Sequence, residues 1–215
     1  MSERKLDEES SLPRERYFSE GYFERSQLIS QAEQIALVHE SKANSLLEIG
    51  HGNGFVSSFL KRAGYSVTTL DINSNLEPDV NASITDLDDL FEPGSFDCVL
   101  CCEVLEHLSF ETFPSLVRKL SDVTSQSAII SLPTAKRQLL KVGFAYKFHH
   151  SSEKFFGLRI RRPWKKLYSA HHWEIDYAKP HSLRNVISIL SERFSSVRTK
   201  TLEQNPYHTF FICEK

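Results

Sequence analysis

Leu46-Leu47-Glu48-Ile49-Gly50-His51-Gly52-Asn53-Gly54-Phe55-Val56-Ser57 sets three glycines at alternate positions directly behind an apolar run that holds one glutamate. Ser45 to Ile49 reads as a short buried strand. Phe55, Val56, Phe59 and Leu60 then fall on one helical stripe, closed by Gly64. Ser66 to Ile72 reads as a second strand, and strand, glycine turn, helix, strand is a βαβ unit whose crossover makes the two strands parallel. In an open parallel sheet, ligands bind beyond the carboxyl ends of the strands, where the first strand feeds the first helix. Gly50, Gly52 and Gly54 occupy that turn, where missing side chains admit a ligand and free N–H groups meet a polar or anionic group.

The pattern continues outward from this unit. Ala82 to Leu87 reads as a third strand, Phe96 to Val104 as a fourth, Phe110 to Val123 as a helix with Pro114 near its start, and Ser127 to Pro133 as a fifth strand. Upstream, Ser26 to His39 has helical spacing. Downstream, Ser182 to Phe194 is an amphipathic helix, and the chain ends in two strands around Asn205-Pro206. Alternating elements followed by a hairpin indicate an α/β, doubly wound, mostly parallel seven-stranded sheet with a C-terminal antiparallel hairpin. Residues 1–16 are expected to be a mobile polar tail, 17–215 one domain, and 134–180 a basic, aromatic cap inserted into it.

With 215 residues, 40% hydrophobic and 25% charged, the chain can bury a sizeable core. No apolar run is long enough to span a membrane and the N-terminus lacks a signal pattern, so a cytoplasmic protein is expected. Cys98, Cys101, Cys102 and Cys213 lack zinc-type pairing and read as buried, reduced thiols. From Lys136 to Lys166, ten Lys or Arg face Glu153 alone, leaving the segment near +9 and, at −2 overall, the remainder near −11.

Asp71 ends the second strand about 20 residues beyond the turn, where a carboxylate accepts hydrogen bonds from ribose hydroxyls. The G-x-G-x-G spacing differs from the dinucleotide G-x-G-x-x-G, and Glu48 just before the turn would repel a pyrophosphate. A nucleoside cofactor with a positive charge fits better. Here the chain resembles the class I S-adenosylmethionine-dependent methyltransferases. The resemblance rests on Glu48 to Gly54, Leu70-Asp71-Ile72-Asn73, Thr85-Asp86-Leu87, Phe96 to Val99, and Glu103-Val104-Leu105-Glu106-His107-Leu108. It implies a Rossmann-like fold, S-adenosyl-L-methionine as cofactor and S-adenosyl-L-homocysteine as product. It further implies that Glu48, Gly50, His51, Gly52, Asn53 and Gly54 serve the methionine end, Asp71, Ile72 and Asn73 the ribose, and Asp86 and Leu87 the adenine, with Glu103 also in the cofactor site. Asp97 is expected to be structural.

Methyl transfer from a sulfonium is an in-line displacement in which positioning supplies much of the acceleration. If a base is needed, His107, beyond the fourth strand, and His171 and His172, beside Trp173, are the candidates. His149-His150 and the loop residue His51 are expected to do no proton chemistry. The expected acceptor is small or amphiphilic and anionic, held under the basic cap, with no metal. The alternative is that Glu103, Glu106, His107 and a later histidine resemble the metal site of small-RNA 3′-terminal 2′-O-methyltransferases. RNA is therefore the second partner class, and a non-catalytic cofactor binder the third reading. Tyr17, Phe18, Tyr22 and Phe23 are expected to form a lid together with 134–173.

Overall fold

The computed structural model describes residues 10–136, 138–146, 154–161 and 165–215. Seven strands form one sheet: β1 (Ser45–Ile49), β2 (Ser66–Asp71), β3 (Val80–Asn81), β4 (Phe96–Cys102), β5 (Thr124–Pro133), β8 (Ser196–Thr201) and β9 (His208–Glu214). Between β5 and β8, strands β6 (Gln138–Tyr146) and β7 (Lys154–Arg161) make a separate antiparallel hairpin. The order across the main sheet is β3-β2-β1-β4-β5-β9-β8, parallel as far as β5 and antiparallel at β9. Because β1 has β2 on one side and β4 on the other, strand order reverses at the end of β1, at the glycine turn.

Among the described residues, five α-helices cover the two faces: α1 (Arg25–Glu40), α2 (Phe55–Arg62), α3 (Leu87–Leu90), α4 (Phe113–Val123) and α5 (Leu183–Ser191). Successive strand residues point to opposite faces, so Leu46 and Leu47 enter different cores, and both are fully buried. Leu46, Cys98, Leu100 and Ile129 pack with Leu37, Val38, Val56 and Leu60 of α1 and α2. Leu47, Ile49, Val99 and Cys101 pack with Phe113, Leu116 and Val117 of α4, Val186 of α5, and Trp173. All four cysteines are buried free thiols, and burial pushes Cys98 up to about 11, so none offers a thiolate at neutral pH.

One expected strand is displaced. Ala82 to Leu87 does not extend; the third strand is only Val80–Asn81. Ser83 accepts the Thr85 N–H at 3.2 Å while Asp86 accepts the Ser83 N–H at 3.3 Å, a reciprocal cap that starts a 3₁₀ turn leading into α3. The N-terminal stretch from residue 10 lies against the end of β2. Leu12 O accepts from Asn73 Nδ2 at 2.9 Å and Asn75 Nδ2 at 3.1 Å, and Arg14 pairs with Glu77 at 3.2 Å. Residues 1–9, His149, His150 and Trp164 lie outside the described residues.

Asp97 opens β4 and ties three strands at their amino ends. Its Oδ2 accepts the Asn44 and Ser45 N–H groups at 2.9 and 3.0 Å, and its Oδ1 accepts from Gln126 Nε2 at 3.0 Å. The Ser45 and Asn44 N–H groups hold this carboxyl below the usual range. Asp97→Ala is therefore expected to lower unfolding stability by about 1–2 kcal/mol, the usual loss when hydrogen bonds to a charged group disappear at a part-exposed site. Urea denaturation measures it. Because Asp97 sits at the opposite edge from the cleft, ligand affinity of the folded variant should be unchanged.

Candidate functional site

A cleft of about 1180 Å³ opens along the carboxyl ends of β1, β2 and β4. Its floor is the turn after β1. Gly50 has φ +74°, and a Cβ there would collide with Cγ2 of Val104, which follows β4. Gly50 N donates to Leu70 O at 2.8 Å, so the turn is tied to β2 as well. Glycine is required twice over at this position, for its left-handed backbone and for the close approach. Asn53 lines the same wall, within 3.4 Å of Gln31 Nε2 from α1.

Two carboxylates stand at this end. Glu48, in β1, is 4% exposed and its Oε2 is buried without a hydrogen-bond partner. Burial pushes its pKa up to about 8, only partly offset by Ser57 and Lys61. Asp71, ending β2, accepts the Asn73 N–H at 2.9 Å. Burial raises its carboxyl above the usual range, against the pull of that N–H and of the His51 ring. The arrangement suits a ligand that brings positive charge to Glu48 and hydroxyl donors to Asp71.

The far end of the cleft is built from the segment after β4 and the returning chain at 168–174. Glu106 is fully buried, and neither carboxylate oxygen has a hydrogen-bond partner. Burial, with Glu103 and Glu174 nearby, pushes its pKa well above the carboxylate range. The His107 and His171 rings meet edge to face with centroids 5.0 Å apart. Ligating atoms of Glu106, His107 and His171 all lie within 4.8 Å of one another. Nδ1 of His171 is 3.0 Å from Glu174 Oε1, which also accepts the Tyr168 N–H at 2.9 Å and the Tyr207 hydroxyl at 2.9 Å. Burial opposes ionisation of Glu174, but these hydrogen bonds outweigh it and hold the carboxyl below its usual value. Glu174 thereby fixes the His171 ring in the cleft wall.

Glu48, Gly50, His51, Gly52, Asn53, Asp71, Ile72, Glu103, His107 and His171, all expected from the sequence, line this one cleft. Five others do not. Gly54 adopts φ +71° as the cap of α2 and faces a small recess with Lys61 and Asp79. Asn73 is buried and braces its own turn, its Oδ1 accepting the Asn75 N–H at 3.0 Å. Asp86 is spent in the Ser83 cap, with Thr85 Oγ1 at 3.0 Å, and Leu87 is core; Ser83 and Ile84 face the cleft instead. His172 contributes its N–H to Glu106 O at 2.8 Å rather than its ring to the cleft. Trp173 is core too, stacked edge-on to Phe110 and Phe113, with Nε1 donating to Leu105 O at 3.2 Å.

Of the four N-terminal aromatics, Tyr17 and Tyr22 line the cleft, while Phe18 and Phe23 are exposed. Tyr168 and Glu174 fall in stretches the sequence marks for their aromatics and histidines but have no role assigned there, and Gln27, Tyr207 and His208 carry no sequence signal. An acid three residues after a histidine was the available signal for Glu174. For Gln27, on α1, and for Tyr207 and His208, at the C-terminal hairpin, only the fold brings them near.

Comparison with known proteins falls on the same elements. Residues 47–132 match the family model described as "Methyltransferase domain". The chain is 29% identical over 105 residues to a ubiquinone biosynthesis O-methyltransferase from Xanthomonas euvesicatoria pv. vesicatoria (strain 85-10), a match covering 43% of each chain. The matched stretch is thus under half the length of that curated relative. Among solved structures, magnesium protoporphyrin IX methyltransferase from Synechocystis PCC 6803 with bound SAM is similar at TM-score 0.57 and 15% identity, over 88% of this chain and 80% of that one. The methyltransferase domain of bacterial CtHen1-C is similar at TM-score 0.57 and 16% identity, over 86% of this chain and 96% of that one. No described helix is long and apolar enough to cross a membrane. The glycine turn falls within the matched segment 47–132, and the fold is the one shared with these solved methyltransferases.

Proposed function

We propose that the chain moves a methyl group from S-adenosylmethionine to a hydroxyl of a small or amphiphilic acceptor. The observation that carries this reading is Glu48, a buried carboxylate with an unpartnered oxygen on the cleft wall beside a glycine turn. A buried acceptor without a partner is costly unless a ligand supplies one, and a cationic ligand supplies it best. The cofactor, once bound, supplies an electrophilic methyl group on a sulfonium. Glu48 takes the positively charged amino-acid end, the Gly50–Asn53 turn admits it closely, and Asp71 accepts the ribose hydroxyls. Tyr17 and Tyr22 sit over the same end as a lid that keeps water out. At the other end His107 or His171 receives the acceptor's proton, with Glu174 holding the tautomer of His171. The curated relative's printed name, an O-methyltransferase, agrees with an oxygen acceptor.

A second reading, metal-assisted 2′-O-methyl transfer to RNA, is favoured by one observation. Glu106, His107 and His171 offer three ligating atoms within 4.8 Å, and the two Glu106 oxygens are otherwise unsatisfied. Mixed carboxylate and imidazole donors suit Mn²⁺ or a similar ion, and the bond from Glu174 to His171 is the usual support for a metal-bound imidazole. Such an ion would lower the pKa of an acceptor hydroxyl. Added Mn²⁺ should then raise the melting temperature of the wild type and not of Glu106→Gln, a readout independent of activity. An unchanged melting temperature, with transfer undiminished after chelation, leaves histidine as the base.

Asp71→Ala is expected to weaken S-adenosylmethionine binding by about 1.5–3 kcal/mol, the loss for hydrogen bonds to a charged acceptor, read by isothermal titration. Wild-type affinity in a folded variant removes Asp71 from the cofactor site.

Glu48 makes binding depend on pH. With its pKa raised to about 8 in the free protein, it is protonated below that value and must lose the proton to meet a cation. Affinity should therefore rise with pH between 6 and 8, by up to about 50-fold, and level off above 8. The same raised value means that the unfolded chain ionises first, so this group's contribution to stability falls as pH climbs from 4.5 toward 8. Titration in buffers of different ionisation enthalpy should register proton release at pH 7, and Glu48→Gln should abolish it.

A further inference from the structure

We infer that the β6–β7 hairpin is a docking surface for an anionic lipid bilayer, through the face that carries Leu140, Val142 and Ile160. The hairpin is a sheet of its own, apart from the main one, and two-stranded ribbons are marginal in water unless a face is covered. Leu140 pairs with Ile160 across the ribbon, and Val142, two residues along, stands on the same side. The three are 49%, 44% and 60% exposed. An exposed aliphatic patch of this kind on a separate ribbon marks an interaction site.

Charge selects the occupant. The hairpin lies within the Lys136–Lys166 segment, where ten basic residues face one acid. At its base Lys165 and Lys166 are exposed. Aliphatic side chains in so cationic a stretch of sequence match the surface of an anionic membrane: the apolar groups enter the headgroup–acyl boundary and Lys and Arg meet the phosphates. A second copy of the chain would bring another segment near +9 against the first, which like-charge repulsion opposes. Single-stranded RNA would meet the charge, but the side chains this face is shown to expose, Leu140, Val142 and Ile160, are aliphatic and offer a base no stacking surface.

The chain on either side of the ribbon is fastened to the cleft. Lys166 N donates to Ala135 O at 3.3 Å, Ala135 N donates to Ile175 O at 3.0 Å, and the segment that follows, Tyr168 to His171, lines the acceptor end. A docked hairpin therefore brings that end to the bilayer. On the methyl-transfer reading above, on which this clause rests, the acceptor is a membrane-borne amphiphile.

The test floats the full-length protein with vesicles of mixed phosphatidylcholine and phosphatidylglycerol, and with phosphatidylcholine alone, at moderate salt. Co-flotation with the anionic vesicles is expected, at least about tenfold weaker on neutral ones and for a variant combining Leu140→Ser, Val142→Ser and Ile160→Ser. If that variant loses its fold, Val142→Glu alone, at the most exposed position, takes its place. No binding by the wild type, or equal binding by the variant, overturns the inference. So does a wild-type dimer that the substitutions convert to monomer, or RNA binding tighter than vesicle binding and untouched by them. S-adenosylmethionine titration of the same preparations separates the two readings. Cofactor binding without vesicle binding sinks the docking alone; vesicle binding without cofactor binding sinks the methyl-transfer reading alone.

Discussion

The ligand edge depends on the contact between Gly50 and Val104. β1 and β4 are neighbours, and their exits must diverge to leave a cleft, yet Val104 turns back over the β1 exit until its Cγ2 occupies the space where residue 50 would carry a Cβ. Only glycine permits that closeness together with φ +74°. The hydrogen bond from Gly50 N to Leu70 O at 2.8 Å then draws the same turn toward β2. Three strand ends are so held in fixed relation, and the side chains they carry, Glu48, Asp71 and Glu103, inherit that relation.

Those side chains are acids, and gathering acids in a partly buried cleft is unfavourable. Glu48, Asp71 and Glu106 all have raised pKa values, each first because burial disfavours the ionised form. None has a paired cation that cancels the effect, whereas Asp88 and Asp97 elsewhere in the molecule are held low by their donors. A core selected for stability alone would not keep three such groups. Their concentration along one wall points to a ligand that brings the missing positive charge or hydrogen-bond donors, and the fold leaves room for it there.

The central βαβ unit and the last helix were legible because their signals are local: a short apolar run in Ser45–Ile49, a helical stripe in Phe55–Leu60, glycines where the chain must turn. Ala82 to Leu87 misled because its apolar spacing suited a strand. The deciding signal was polar, Ser83 with an acid three residues on, and it turned the chain into a 3₁₀ cap that removed Asp86 from the cleft. His171 and His172 are adjacent in sequence and equivalent in composition, yet Glu174 and Tyr207 bind the first into the cleft wall while the second serves through its backbone. That distinction arises from a residue at 207 reaching one at 174, which no local pattern encodes.

Glu103 illustrates why the site is larger than the matched segment 47–132. It adopts φ +59°, a left-handed backbone that a non-glycine residue reaches at a cost of about 1 kcal/mol or more. Such strain persists only when the surroundings over-determine it, and the restraints come from far away in the chain. Gln27 Nε2 of α1 lies 3.3 Å from one carboxylate oxygen, and His208 Nδ1 at the start of β9 lies 3.4 Å from the other. Asn205 in turn joins His208, at 3.2 Å, to Ser26 O at the head of α1, at 3.2 Å. The first helix and the terminal hairpin are thus clasped to each other across the mouth of the cleft, with the Glu103 carboxylate between them. A fragment with only the central strands would retain the glycine turn but lose both restraints, and Glu103 would relax away from the position in which it faces the cleft.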